Sequence, residues 1–249
     1  MKAKLPTRLK KEPLIEALFE TQFNCSSPAS ILLPGLLFNK LGEGITIESL
    51  PLAQLPKAAR DRDPNLKFQP LSRLKWGQFF VNISDYSVSV SCGNKYPGWH
   101  IFKPAILEVI KILAESKITN SISRYSVKYI DLIPMPHVAN TTSMANLELT
   151  IAGQKLINEN FQIRAEIMRD DFINSLQLAS NVRIVNNTGE TKEGFVVDID
   201  TISMLPNVAI DEFLSSIEDK LDKIHQINKQ MFFDCLSKDT LASLEPDYE

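Results

Sequence analysis

Apolar residues in the last quarter of the chain recur at helical spacing. Ile210, Phe213, Leu214, Ile217, Leu221, Ile224, Met231, Phe232 and Cys235 recur at spacings of three and four, with adjacent pairs at 213/214 and 231/232. Asp211, Glu212, Glu218, Asp219, Asp222 and Lys223 fill the complementary side, as on a helix with one face covered and one wet. The pattern predicts a helix over 208–236, about 42 Å long at 1.5 Å per residue. Such a length suits a helix that packs across a sheet or reaches a second subunit.

Elsewhere strands and shorter helices alternate. A strand is expected over 13–24, then a short helix to about residue 41 opened by Ser26, Ser27 and Pro28 and bent at Pro34 and Gly35. A strand follows at 45–50, an irregular connection at 51–65, and two antiparallel strands at 66–76 and 79–92 joined near Gly77. In the second, Tyr86, Val88, Val90 and Cys92 alternate with Ser87, Ser89 and Ser91, the signature of a half-buried strand. A helix at 101–118 and a strand at 124–133 complete this half.

The proline-containing stretch 135–146 predicts a boundary. Beyond it strands at 161–167, 176–185 and 195–199 precede the long helix, with 186–194 as a turn. The expected fold class is therefore α+β: antiparallel sheets in two similar strand-then-helix halves, with the long C-terminal helix packed on the sheet. Residues 1–12 are expected to form a basic mobile arm, 13–135 one half and 136–249 the other, the two able to share one continuous domain.

Composition narrows the class. The 249 residues, 44% hydrophobic and 23% charged, suit a globular protein with a substantial core. A net charge of −3 argues against a broad phosphate-binding surface. The exception is the start, where Lys2, Lys4, Arg8, Lys10 and Lys11 precede the first acid, Glu12. Cys25, Cys92 and Cys235 are few, scattered and odd in number, which points to a reducing compartment and a cytoplasmic protein. No apolar run reaches membrane-spanning length, and no secretory leader is evident.

No P-loop, dinucleotide-binding or nucleophile-elbow motif occurs, and three histidines without ligand spacing give no metal or cofactor expectation. Candidate ligand contacts are Tyr96 and Trp99, aromatics at a turn before a helix that can stack on a flat ligand or pack the helix onto the sheet. Arg124, Lys128 and Asp131 offer a mixed polar strand face. Asp198 and Asp200 place two carboxylates on one side of a strand, a spacing shared by cation sites and by ordinary solvated faces. His225 and Asn228 lie one turn apart beside the apolar stripe of the long helix and can serve a ligand, a subunit register or a core contact.

The segment Pro13-Leu14-Ile15-Glu16-Ala17-Leu18-Phe19-Glu20-Thr21-Gln22-Phe23 resembles the opening of a sporadically distributed prokaryotic protein family of unknown function. The likeness continues at Tyr96-Pro97-Gly98-Trp99, at Arg124-Tyr125-Ser126-Val127-Lys128-Tyr129-Ile130-Asp131 and from Leu221-Asp222-Lys223-Ile224-His225 through Phe232-Phe233 to Tyr248. In two places this chain departs from it. Asn is more usual where Asp131 stands, and an Ile-Arg pair where Thr21-Gln22 stands. The resemblance transfers no catalytic residue, and its patchy distribution implies an association with mobile, defence or toxin-linked genes.

The leading reading is a cytoplasmic binding or assembly protein, homo-oligomeric through the long helix or a sheet edge, or joined to another protein. Its rival is an enzyme or small-ligand domain, in which Arg124, Lys128, Asp131, Asp198 and Asp200 converge in a polar pocket between sheet and helices. A third reading gives the basic arm a nucleic-acid contact within a defence or toxin-antitoxin system.

Overall fold

The computed structural model describes residues 5–92, 95–135, 141–185, 189 and 191–248. The period-two stretch near the N-terminus is strand β2 (Leu14–Cys25), preceded by the short β1 (Arg8–Leu9). In β2 Ala17, Phe19, Thr21 and Phe23 are buried, and the residues between them are not. Helix α1 (Ala29–Lys40), β3 (Thr46–Ser49), the single turn α2 (Lys57–Arg60), β4 (Ser72–Trp76), β5 (Phe79–Ile83) and β6 (Ser87–Cys92) follow. Then come α3 (Trp99–Glu115) and β7 (Thr119–Ile133).

The remainder contains β8 (Thr150–Ile151), β9 (Gln154–Lys155), β10 (Gln162–Arg169), β11 (Phe172–Val185), β12 (Thr191–Ala209), α4 (Ile210–Cys235), α5 (Lys238–Ser243) and β13 (Pro246–Asp247). Nine strands form one sheet in the order β10-β11-β12-β7-β2-β6-β5-β4-β3. Strands β1 and β13, and β8 and β9, form separate antiparallel pairs. The fold is α+β, with a large antiparallel sheet and the long helix packed against it. Along α4 the residues Phe213, Ile217, Leu221, Ile224, Met231 and Phe232 are buried, while Asp211, Glu212, Glu218, Asp219, Asp222 and Lys223 are exposed.

The chain divides into two compact units, each assembled from separated segments. One comprises Met1–Ile15, Lys128–Thr201 and His225–Glu249; the other comprises Glu16–Val127 and Ile202–Ile224. This differs from the expected division at 135/136. Strands β7 and β12 and helix α4 are long enough to contribute to both units, so the units do not follow chain order. In the first, Ile133, Leu178, Phe195, Val197 and Ile199 share a core with Met231 and Phe232 of α4. In the second, Phe213 of α4 packs on Tyr125, their ring centroids 5.5 Å apart.

Three local expectations change. The apolar run 79–92 is two strands, because the Ser84 hydroxyl accepts the backbone N–H groups of Tyr86 (3.0 Å) and Ser87 (2.8 Å) and closes a turn. Strand β6 is buried on both faces, its serines included, as an interior strand covered on two sides must be. The described part of the basic arm is not free: Arg8 and Leu9 pair with Asp247 and Pro246, and Lys11 forms a 2.8 Å ion pair with Glu245.

Gly194, expected in a turn, lies inside β12. A Cβ there would stand 2.4 Å from the Ile133 carbonyl oxygen of β7, so only glycine lets these two backbones approach as they do. Gly194→Ala is expected to lower unfolding free energy by about 1 to 3 kcal/mol through overpacking. Gly35→Ala in α1, where a Cβ meets nothing within 4 Å, should raise it by about 0.5 to 1 kcal/mol. Urea denaturation of both variants checks this; equal effects of the two would contradict it.

Candidate functional site

In the first unit, β7, β12 and α4 carry most of the candidate polar residues. Side chains alternate along a strand, so Tyr129, Asp131 and Ile133 share one side of β7, and Lys128, Ile130 and Leu132 share the other. Tyr129 and Ile133 fix the first as the side of α4. The Tyr129 hydroxyl lies 3.0 Å from Nδ1 of His225, and Ile133 belongs to the core that includes Met231. On the opposite side Leu132 clusters with Val196 and Ala179, and Lys128 Nζ meets Asp198 Oδ2 at 3.0 Å. Asp200 follows Asp198 with the same parity and is half-buried.

Asn228, one turn beyond His225, is buried at the centre of a hydrogen-bonded seam. Its Nδ2 donates to the Ile199 carbonyl and to Thr201 Oγ1, each at 3.0 Å. The Thr201 hydroxyl donates to Asn174 Oδ1 at 2.8 Å, and Asn174 Nδ2 reaches the Ile167 carbonyl at 3.2 Å. All three side chains are buried. A buried polar network whose members satisfy one another fixes the register of a helix on a sheet. Of the readings open for His225 and Asn228, this geometry matches the core contact.

Asp131 is the chemically unusual group. It is buried, and burial, reinforced by the negative charge of Asp198, pushes its carboxyl up to about 8. It is therefore largely protonated at neutral pH. The three thiols also shift upward through burial, Cys92 to about 12 and Cys235 to about 11, which keeps them as unreactive thiols near neutrality.

The second unit holds the other candidates. Arg124 forms a 2.7 Å ion pair with Glu20 of the adjacent β2. Trp99 Nε1 donates to Asp222 Oδ1 at 3.0 Å, and Lys103 reaches the other oxygen of that carboxylate at 2.7 Å, so one acid of α4 is tied twice to α3. Tyr96 and Trp99 meet Phe102 edge-on, with centroids 5.9 and 6.2 Å away. These edge-on contacts are of the kind that packs aromatics onto a helix.

Of the residues expected to line one pocket, Lys128, Asp131, Asp198 and Asp200 lie in the first unit, where Asp131 points to the opposite side of β7 from the Lys128 and Asp198 pair, and Arg124 lies in the second. Among the described residues no group of three or more His, Cys, Asp or Glu side chains is placed to hold a metal ion. No known family model matches the chain, and no curated protein is similar to it in sequence.

One polar cluster escaped sequence reasoning. Arg60 Nη2 and Asp85 Oδ2 form a buried 2.8 Å ion pair in the second unit. Ser30 Oγ donates to the other Asp85 oxygen, and Arg60 Nη1 donates to the Leu55 carbonyl. Beside it Lys57 donates to the Tyr86 hydroxyl at 2.8 Å, and Lys57 and Lys67 each lie 5.2 Å from the Tyr86 ring centre. The polar pair Ser84-Asp85 between two apolar runs was the one available signal for the turn. Nothing local in sequence tied Asp85 to Arg60.

The Asp131 carboxyl gives a pH prediction with a definite sign. Its value rises from 3.8 to about 8 on folding, so the folded chain holds a proton that the unfolded chain has released. Stability is thus lost as pH rises from about 4 through 8 and levels off above, with a slope of up to about 1.4 kcal/mol per pH unit from this group. Asp131→Asn, which keeps the shape without the charge, is expected to remove that slope. Denaturation curves between pH 5 and 9 with the same pH dependence for both proteins would contradict it.

Proposed function

We propose that this chain is a protein-assembly module that associates with copies of itself through apolar surface. The observation carrying this reading is helix α1. Its Ala29, Leu33 and Leu37 are buried, and its other side exposes Ile31 (70%), Leu32 and Phe38 (50%) to solvent. A surface helix ordinarily turns charged residues outward, and clustered exposed apolar side chains mark a contact surface. Ile31, Gly35 and Phe38 fall on one helical stripe, and Gly35 leaves open space between the two large residues. In the same unit the neighbouring strand β3 is exposed throughout and adds Ile47.

The candidate polar groups support this reading over the pocket-based one. Arg124, Lys128, Asp198, Trp99, His225 and Asn228 each contact another side chain of the protein itself. Lys11, the last base of the N-terminal arm, is likewise engaged by Glu245, which disfavours the nucleic-acid alternative. No described helix is long and apolar enough to cross a membrane. The three scattered free cysteines support a reducing compartment, and we infer a cytoplasmic assembly.

Light scattering on the purified chain at micromolar concentration tests the proposal. The expected mass exceeds the 28.0 kDa of one chain, and Ile31→Lys combined with Phe38→Glu lowers it while leaving the helical circular dichroism intact. A wild-type protein that stays monomeric throughout this range would overturn the reading.

A further inference from the structure

Strand β10 ends the sheet, paired on one side with β11 and on the other with no described strand. Its eight residues, Gln-Ile-Arg-Ala-Glu-Ile-Met-Arg, include no proline, glycine or lysine. Proline and lysine are among the features that usually blunt an exposed edge; the charged residues of β10 are Arg164, Glu166 and Arg169, the last held by Asp234. Apolar side chains are displayed too, Ile167 at 38% and Met168 at 65% exposure. The opposite edge of the sheet, β3, has only four residues.

The pairing with β11 determines which backbone groups of β10 remain available. The register runs from Gln162 opposite Ala179 to Arg169 opposite Phe172, the latter pair closing a two-residue turn. Ser180 N donates to the Phe161 carbonyl at 3.0 Å. Odd-numbered residues therefore direct their N–H and C=O groups toward β11. Gln162, Arg164, Glu166 and Met168 direct theirs outward.

We infer that β10 pairs antiparallel with β10 of a second copy, about a two-fold axis at Ala165, joining the two sheets edge to edge. The inference rests on the assembly reading and names its partner and one of its surfaces. Outward groups of both strands can bond only when even-numbered residues face even-numbered residues, and the centres that engage at least three of the four outward residues are Arg164, Ala165 and Glu166. Centring on Arg164 sets the two arginines against each other, and centring on Glu166 does the same for the two glutamates. Centring on Ala165 sets Arg164 opposite the second copy's Glu166, twice by symmetry, and Ile163 opposite its Ile167 on the other face. Opposite charges and matched apolar residues directly across a strand pair stabilise it, and like charges oppose it. A two-fold contact needs this kind of self-complementary patch. Within one chain these two side chains meet only at 4.0 Å and remain about two-thirds exposed, so both are available to a partner.

Two measurements test the pairing. Arg164→Glu places glutamates opposite glutamates and is expected to weaken dimerisation about tenfold or more. Adding Glu166→Arg restores the opposite-charge pairs in reversed order and should recover association, which loss of folding would not allow. At the axis the two Ala165 residues form a pair without mutual hydrogen bonds, with Cα atoms about 4.5 Å apart, inside disulfide range. Ala165→Cys should therefore give a covalent dimer on mild oxidation, whereas the wild-type chain should not. Association that is indifferent to Arg164→Glu, with no cross-link at 165, would overturn the β10 pairing and leave the assembly reading standing. A strictly monomeric wild type would overturn both. A mass that responds at β10 but not to the α1 double substitution would support the pairing and remove α1 as a surface.

Discussion

An open antiparallel sheet must end, and each end leaves a row of backbone donors and acceptors that no strand of the same chain satisfies. A barrel removes this problem by closing. Among the described strands β10 and β3 stand at the two ends of the nine-strand order, and they meet the constraint differently. Strand β3 is short; β10 is twice as long and carries apolar and oppositely charged residues in an order that places opposite charges against each other when it is reversed about Ala165. The same surface logic applies at α1, where a helix too apolar for its exposure has one side already buried.

The interior depends on a different balance. Helix α4 is held by a continuous apolar stripe, a non-directional force that does not by itself fix where the helix sits along the sheet. Asn228 supplies that register in the first unit, since a shift by one turn would take its buried amide away from the Ile199 carbonyl and the Thr201 hydroxyl. In the second unit the double tie from Trp99 and Lys103 to Asp222 plays a similar part nearer the surface. Asp131 runs against this economy, because its buried carboxyl stays neutral only while the pH remains below its raised value.

Elements with strong local periodicity were legible in sequence. Helix α4 was expected at 208–236 and spans Ile210–Cys235, because 26 residues of unbroken helical spacing admit no other element. Strand β10 was similarly evident from alternation, whereas β2 has an imperfect period and only residues 176–185 of β11 (Phe172–Val185) were expected as strand. The hairpin between β5 and β6 was not, since Ser84, Asp85 and Tyr86 turn without glycine or proline, and the alternation on either side reads as one run. Gly194 was taken for a turn because its use is non-local: it makes room for the Ile133 carbonyl of another strand.

The candidate site was less legible for the same reason. Spacing along β7 gives Arg124 and Lys128 the same parity, but their partners, Glu20 and Asp198, come from β2 and β12, and strand order is invisible to local pattern. The place of β10 at the end of the sheet is also a property of topology, although its self-complementary order was present in the sequence. Residue-resolved hydrogen exchange tests the assembly account most directly through the outward amides of Gln162, Arg164, Glu166 and Met168. The account predicts that they are protected in concentrated solution and exchange rapidly on dilution, whereas rapid exchange at every concentration would contradict it.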